Sequence, residues 1–159
     1  MAYKGFQRLN GTLRALAEVP SRAARSASAR IAELVEEQFD AGADPYGRPW
    51  APLTDTTLAL RPWRGAPPLT DTGAMRSAIT VRPTAPAGIV VELGDDGHGR
   101  PVPVATYHQT GTSKVRGWIT SDVGMAQRQI LPQSGGLAPA WRDAIRESIA
   151  EAFAEVRRG

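Results

Sequence analysis

The chain contains no cysteine, which excludes disulfides and thiolate metal centres. Lysine is nearly absent too: Lys4 and Lys114 are the only two, so arginine carries the positive charge. Aromatic residues are sparse at 6%, and only Tyr3 and Phe6 lie among the first arginines. Two aromatics there do not make a stacking platform for bases, and no nucleic-acid motif of recognisable spacing occurs. No apolar run reaches the length of a membrane span. The stretch after Met1 is basic and polar, without the apolar region of a signal peptide, so the chain is expected in the host cytoplasm where it is made.

What is present fits one domain. A length of 159 residues supports a core without staples. The net charge is +3 and the pI about 9.8. Residues 1–30 hold one lysine and five arginines against the single acid Glu18. Arg8, Arg14, Arg22 and Arg25 are thus candidate contacts to DNA or to an acidic partner; a solvated terminus is the plainer reading.

Leu9–Val19 is expected to form a short helix broken by Pro20. Ser21 then caps a longer amphipathic helix from about Arg22 to Asp40, with Ala27, Ile31, Leu34, Val35 and Phe39 on one face and Gly42 ending it. Asp44-Pro45-Tyr46-Gly47 reads as a tight turn, in a loop pinned by Trp50 and Leu53. The pentapeptide Pro-Leu-Thr-Asp-Thr occurs twice, at 52–56 and 68–72. Each copy reads as the capped start of a short helix, with Leu53 and Leu69 as staples before the caps. A phosphate cradle would need more glycine than Gly73 alone.

Beyond Ile79 the pattern turns β-branched. Two runs ending and beginning near Pro83 and Gly88 predict a hairpin, Val104–Thr110 a third strand, and Arg128–Pro132 a fourth. Pro139 opens a last helix with Trp141, Ile145, Ile149, Ala152, Phe153 and Val156 on one stripe. The expected fold class is α+β: a small, mainly antiparallel sheet of about four strands packed by a long N-terminal helix and a C-terminal helix. Residues 1–21 form a basic arm or short helix, and 22–159 a single domain.

Catalytic signals are weak. His98 stands near Asp95 and Asp96, but no downstream glutamate closes a calcium loop, so a solvated turn is expected. His108, in Tyr-His-Gln-Thr-Gly, has no serine or cysteine nucleophile announced around it. A half-buried histidine bonded to backbone is the expectation, and a hydrolase centred on it is the competing one. No catalytic, cofactor-binding or metal residue is assigned. The polar loops 94–103 and 111–127 instead suit partner contacts, the second through Trp118 and Ile119.

The ordered set Phe39, Asp44-Pro45, Gly47, Trp50, Leu53, Leu69, Thr72-Gly73, Tyr107-His108-Gln109, Gly111, Arg128 and Pro132 resembles the phage virion morphogenesis (tail completion) family. It is similar also to the wider group of head–tail joining and tail-terminator proteins of long-tailed phages. The resemblance spans roughly residues 23–156. It implies a structural virion protein without catalytic activity or cofactor. It also implies a homo-oligomeric, commonly hexameric ring at the head-proximal end of the tail, touching the tail tube protein and the head–tail connector or neck proteins. Interface candidates are then Trp50, Tyr107, His108, Gln109, Trp118, Ile119 and Arg128. Weak, sequence-independent contact with DNA in the channel would involve the scattered arginines. A transient morphogenesis factor, or a DNA-binding protein using the basic arm, is the alternative.

Overall fold

Ala23, Ala27, Ile31, Val35 and Phe39 recur at every fourth position, and all are buried on one face of a helix running from Ala2 to Ala41, α1. The structure is a computed structural model, and it describes residues 2–60, 68–70, 73–94, 103–111, 126–133 and 136–158. Six further elements follow: α2 (Asp55–Leu60), α3 (Ala74–Ser77), β1 (Ile79–Thr84), β2 (Gly88–Leu93), α4 (Pro103–Thr110) and α5 (Pro139–Arg158).

Pro20 does not break α1. It withdraws one backbone N–H from the ladder, but the flanking turn is held by other means. Ser21 donates its hydroxyl back to the Glu18 carbonyl at 3.0 Å instead of capping a new helix. Arg22 pairs with Glu18 at 2.6 Å and reaches Glu155 of α5 at 3.4 Å. Val19 and Ala23 pack on Ala152 and Val156. Tertiary contact thus overrides the local breaker. At the other end Gly42, at φ 62°, closes the helix: its N–H donates to the Phe39 carbonyl and that of Ala43 to the Gln38 carbonyl.

α5 lies antiparallel along α1. Arg22 meets Glu155, Ser26 meets Ser148, and Arg30 meets Glu147 and Glu151. The buried line on α5 is Trp141, Ala144, Ser148 and Ala152. The apolar stripe expected there is therefore only partly inward. Small residues let the two helices approach, and Ile149 and Phe153 are left 42% and 45% exposed.

The predicted hairpin forms, with Val81 opposite Val91 and Ile79 opposite Leu93. Its inner face, including Ile79, Val81, Ile89, Val91 and Leu93, packs on the core of Ile31, Val35, Phe39, Trp50 and Ile130. The outer face carries the Arg82–Glu92 pair at 2.9 Å.

The α+β class stands, but among the described residues the sheet has two strands, not four. The third expected strand is α4. Pro103 opens that helix and Gly111, at φ 69°, ends it, and this punctuation outweighs the β-branched letters between. The fourth, 128–132, runs without a ladder because side chains, not a neighbouring strand, take its backbone groups.

The repeated pentapeptide is not one device used twice. Thr54 caps α2, accepting the Thr57 N–H on its hydroxyl at 3.3 Å. α3 instead begins at Gly73 in the left-handed region, φ 75°, with no side-chain cap. Leu69 also has positive φ, 69°, and is buried. Such a backbone costs a leucine about 1–2 kcal/mol. Burying its side chain returns a comparable or larger amount, roughly 1.5–3 kcal/mol. Asp71 and Thr72 lie outside the described residues.

Candidate functional site

The loop after α1 is built on Asp44. Its Oδ1 accepts the N–H groups of Tyr46 and Arg48, both at 2.9 Å, and its Oδ2 takes the Arg48 guanidinium at 2.6 Å. Gly47, at φ 79°, donates to the Asp44 carbonyl, so the expected turn is present. Arg48 lies 5.3 Å from the Tyr46 ring centroid, and the Tyr46 hydroxyl donates to the Gly136 carbonyl. The loop thereby delivers Trp50 to the core. There its ring meets Phe39 edge-on at 5.3 Å and its indole N–H donates to the Gln129 carbonyl at 2.8 Å.

Gln129 belongs to the segment 127–131, where the site residues converge. Gln109 of α4 accepts the N–H groups of Ile130 and Leu131 on one oxygen, at 2.8 and 2.9 Å, and donates to the Leu131 carbonyl at 2.7 Å. Gln38 of α1 donates to the Ile130 carbonyl at 2.9 Å. Arg128 turns back to the carbonyls of Ala51 and Pro52, both at 2.8 Å, while its own N–H meets the His108 carbonyl. Gln38, Trp50 and Gln109, from three parts of the chain, thus take the segment's backbone groups in place of a strand ladder, and Arg128 ties the segment to 51–52. A buried backbone group left unpaired costs about 1–3 kcal/mol, so this clamp fixes an otherwise unsupported segment.

Of the residues singled out from sequence, Trp50, Gln109 and Arg128 meet in this clamp. Trp50 and Arg128 are 6% and 7% exposed. Tyr107 is on the surface beside it. His108 is half-buried. Burial, and then the charge of Arg128, push it down to about 4, so the ring is neutral at neutral pH. The half-burial matches the expectation, and the ring's buried Nδ1 has no hydrogen-bond partner among the described residues. Trp118, Ile119, His98 and its neighbouring aspartates lie outside the described residues. Arg22 is engaged by Glu18 and Glu155. Arg8, Arg14 and Arg25 are exposed on α1 and make no ion pair among the described residues.

Sequence reasoning missed Gln38 and Gln129, whose contacts lie far away along the chain. It also missed that Phe6, Leu9, Leu13 and Leu16 form an exposed stripe at three- and four-residue steps on one face of α1. That spacing was a readable signal. No group of three metal-ligating side chains occurs among the described residues, and no described helix is long and apolar enough to cross a membrane. The arrangement is a hydrogen-bonded scaffold bearing an apolar, basic arm.

The model of one protein family, the phage virion morphogenesis family, matches residues 3–154. No curated protein and no solved structure matches the chain.

Proposed function

The chain belongs to the phage virion morphogenesis family, and from that premise we propose that it is a ring-forming subunit at the head-proximal end of the tail. There it ends or completes the tail and joins it to the head. Its partners are further copies of itself, the tail tube protein and the connector or neck proteins, and it works without catalysis or cofactor. The observation that carries the reading is the match across nearly the whole chain. The clamp supports it: the most distinctive side chains, Trp50, Gln109 and Arg128, hold backbone in place. The exposed arm is left to meet partners.

Electron cryomicroscopy of intact particles tests this. A ring of this protein on the last layer of the tail tube is the expected result. Its absence from mature particles overturns the structural role and leaves a transient assembly factor. Arg8, Arg14 and Arg25, exposed and without an ion pair among the described residues, favour a second reading in which the arm touches DNA. That reading requires affinity for duplex DNA that falls steeply with salt and is lost with the arm.

A further inference from the structure

The exposed stripe of α1 sits on the same helix as the buried one, but the last contacts of α5 are with Val19 and Arg22, and nothing among the described residues covers Phe6, Leu9, Leu13 and Leu16. These four are 68%, 55%, 55% and 40% exposed. Together they offer on the order of 400 Å² of apolar surface. Arg8 and Arg14 stand beside the stripe, and the sequence up to Glu18 has no acid.

At the far end of the same helix is an open groove of about 360 Å³ between the last turns of α1, the Asp44–Gly47 turn and the start of α5. Leu34, Ala41, Tyr46, Pro139 and Ala140 give it an apolar lining, and Glu37 stands on it. Glu33 is one turn away. Neither glutamate makes an ion pair among the described residues; of the cations nearby, Arg48 is neutralised by Asp44, and Arg142, next to Trp141, leaves one negative charge in excess. A second apolar groove, lined by Pro20, Ala24, Ile89, Ile149 and Phe153, has the wrong charge for the arm. Arg142 and Arg157 lie three and four positions from its Ile145 and Phe153, and Arg146 beside it is paired with Asp143.

We propose that the N-terminal turns of α1 in one copy lie in the Glu33–Glu37 groove of a second copy. Apolar anchors at helical spacing fill the groove, and Arg8 and Arg14 meet the free glutamates. A chain cannot serve itself this way, because Arg14 and Glu37 are about 35 Å apart on one straight helix. The contact is head to tail, so it closes into a ring or continues as a filament. Each copy gives an arm to one neighbour and a groove to the other. Each arm–groove contact then buries about 800 Å² in total, about half of a standard interface, so the contact is individually weak and gains strength from repetition around a closed ring. Pairing of arm with arm is disfavoured because it sets arginine against arginine. The inference deepens the ring reading by naming the contact on which such a ring would rest.

The natural absence of cysteine makes the test direct. In the full-length chain, Leu13→Cys combined with Ala140→Cys should cross-link different copies into a ladder on oxidation, with either single variant failing to do so. A disulfide from Leu13→Cys alone would show arm–arm packing and overturn the proposal; so would a double variant that stays monomeric. Sedimentation gives a second readout. Arg8→Glu with Arg14→Glu should weaken self-association at least about tenfold, and Glu33→Arg with Glu37→Arg in the same chain should restore it. If the reversed arm leaves association unchanged while particles still carry the ring, this contact is wrong and the ring stands. If cross-linked arms form but particles carry no ring, the contact stands and the placement at the tail is wrong.

Discussion

The two ends of α1 carry the same kind of stripe and meet opposite fates. From Ala23 to Phe39 the apolar positions are buried under α5, the hairpin and Trp50. From Phe6 to Leu16 the same spacing continues into solvent. Sequence period decides that a helix forms and which face is apolar. It does not decide what covers that face. Among the described residues, α5 covers the helix as far as Val19, and the stripe from Phe6 to Leu16 lies beyond that contact.

The comparison breaks most sharply by truncation. Phe39→Ala should cost about 3–5 kcal/mol, since the ring is fully buried against Trp50. Urea denaturation reads this, and a loss under about 1 kcal/mol would mean that the body is not one close-packed core. Next comes the clamp. Gln109→Ala strands the Ile130 and Leu131 N–H groups, for an expected loss of about 2–3 kcal/mol, while the Leu131 carbonyl keeps the Gln129 amide; Gln109→Glu, which keeps the accepting oxygen, should lose less. Equal losses from the two would contradict the assigned bonds.

A smaller effect comes from His108. Its folded pKa lies below that of the unfolded chain, so unfolding takes up a proton once the pH falls below about 6.5. Its contribution is fully present above that value and is lost as pH falls toward 4. The expected loss is on the order of 2 kcal/mol after allowance for solvent screening. Stability measured at both pH values in wild type and His108→Gln should differ by that amount, and parallel curves would refute it. Last is the arm: Leu13→Ala in dilute monomer should change stability by under about 0.5 kcal/mol. A core-sized loss would mean that the arm already folds against its own body.

Those magnitudes follow what was legible beforehand. The second half of α1, α5 and the β1–β2 hairpin were readable because their signals repeat within one segment, every fourth residue or every second. Gly42 and Gly47 were readable because only local geometry is at issue. α4 was misread because Val104 and Thr106 suggested a strand, while the information lay in Pro103 and Gly111 at its ends. The 128–132 segment could not be read locally at all. Its extended course depends on Gln38, Trp50 and Gln109, residues from 21 to 92 positions away. The candidate site was half legible: Trp50, Gln109 and Arg128 stood out as residues, but their joint attachment to one segment is a property of the fold. The arm was legible in its spacing and was obscured by its charge.

The unbroken course of α1 makes it a strut of about 60 Å. Its root is seated in the Phe39–Trp50 contact, and its tip stands free of the body. A load on the tip travels down a column of backbone bonds to the loop that holds Gln129. One rung of that column is missing, at Pro20, so the strut should flex there before it flexes elsewhere. Spin labels at the exposed positions 6 and 33 would register this as a spread of distances that narrows in Pro20→Ala. An unchanged spread would show that the clasp of Arg22 and Glu18 already stiffens the joint.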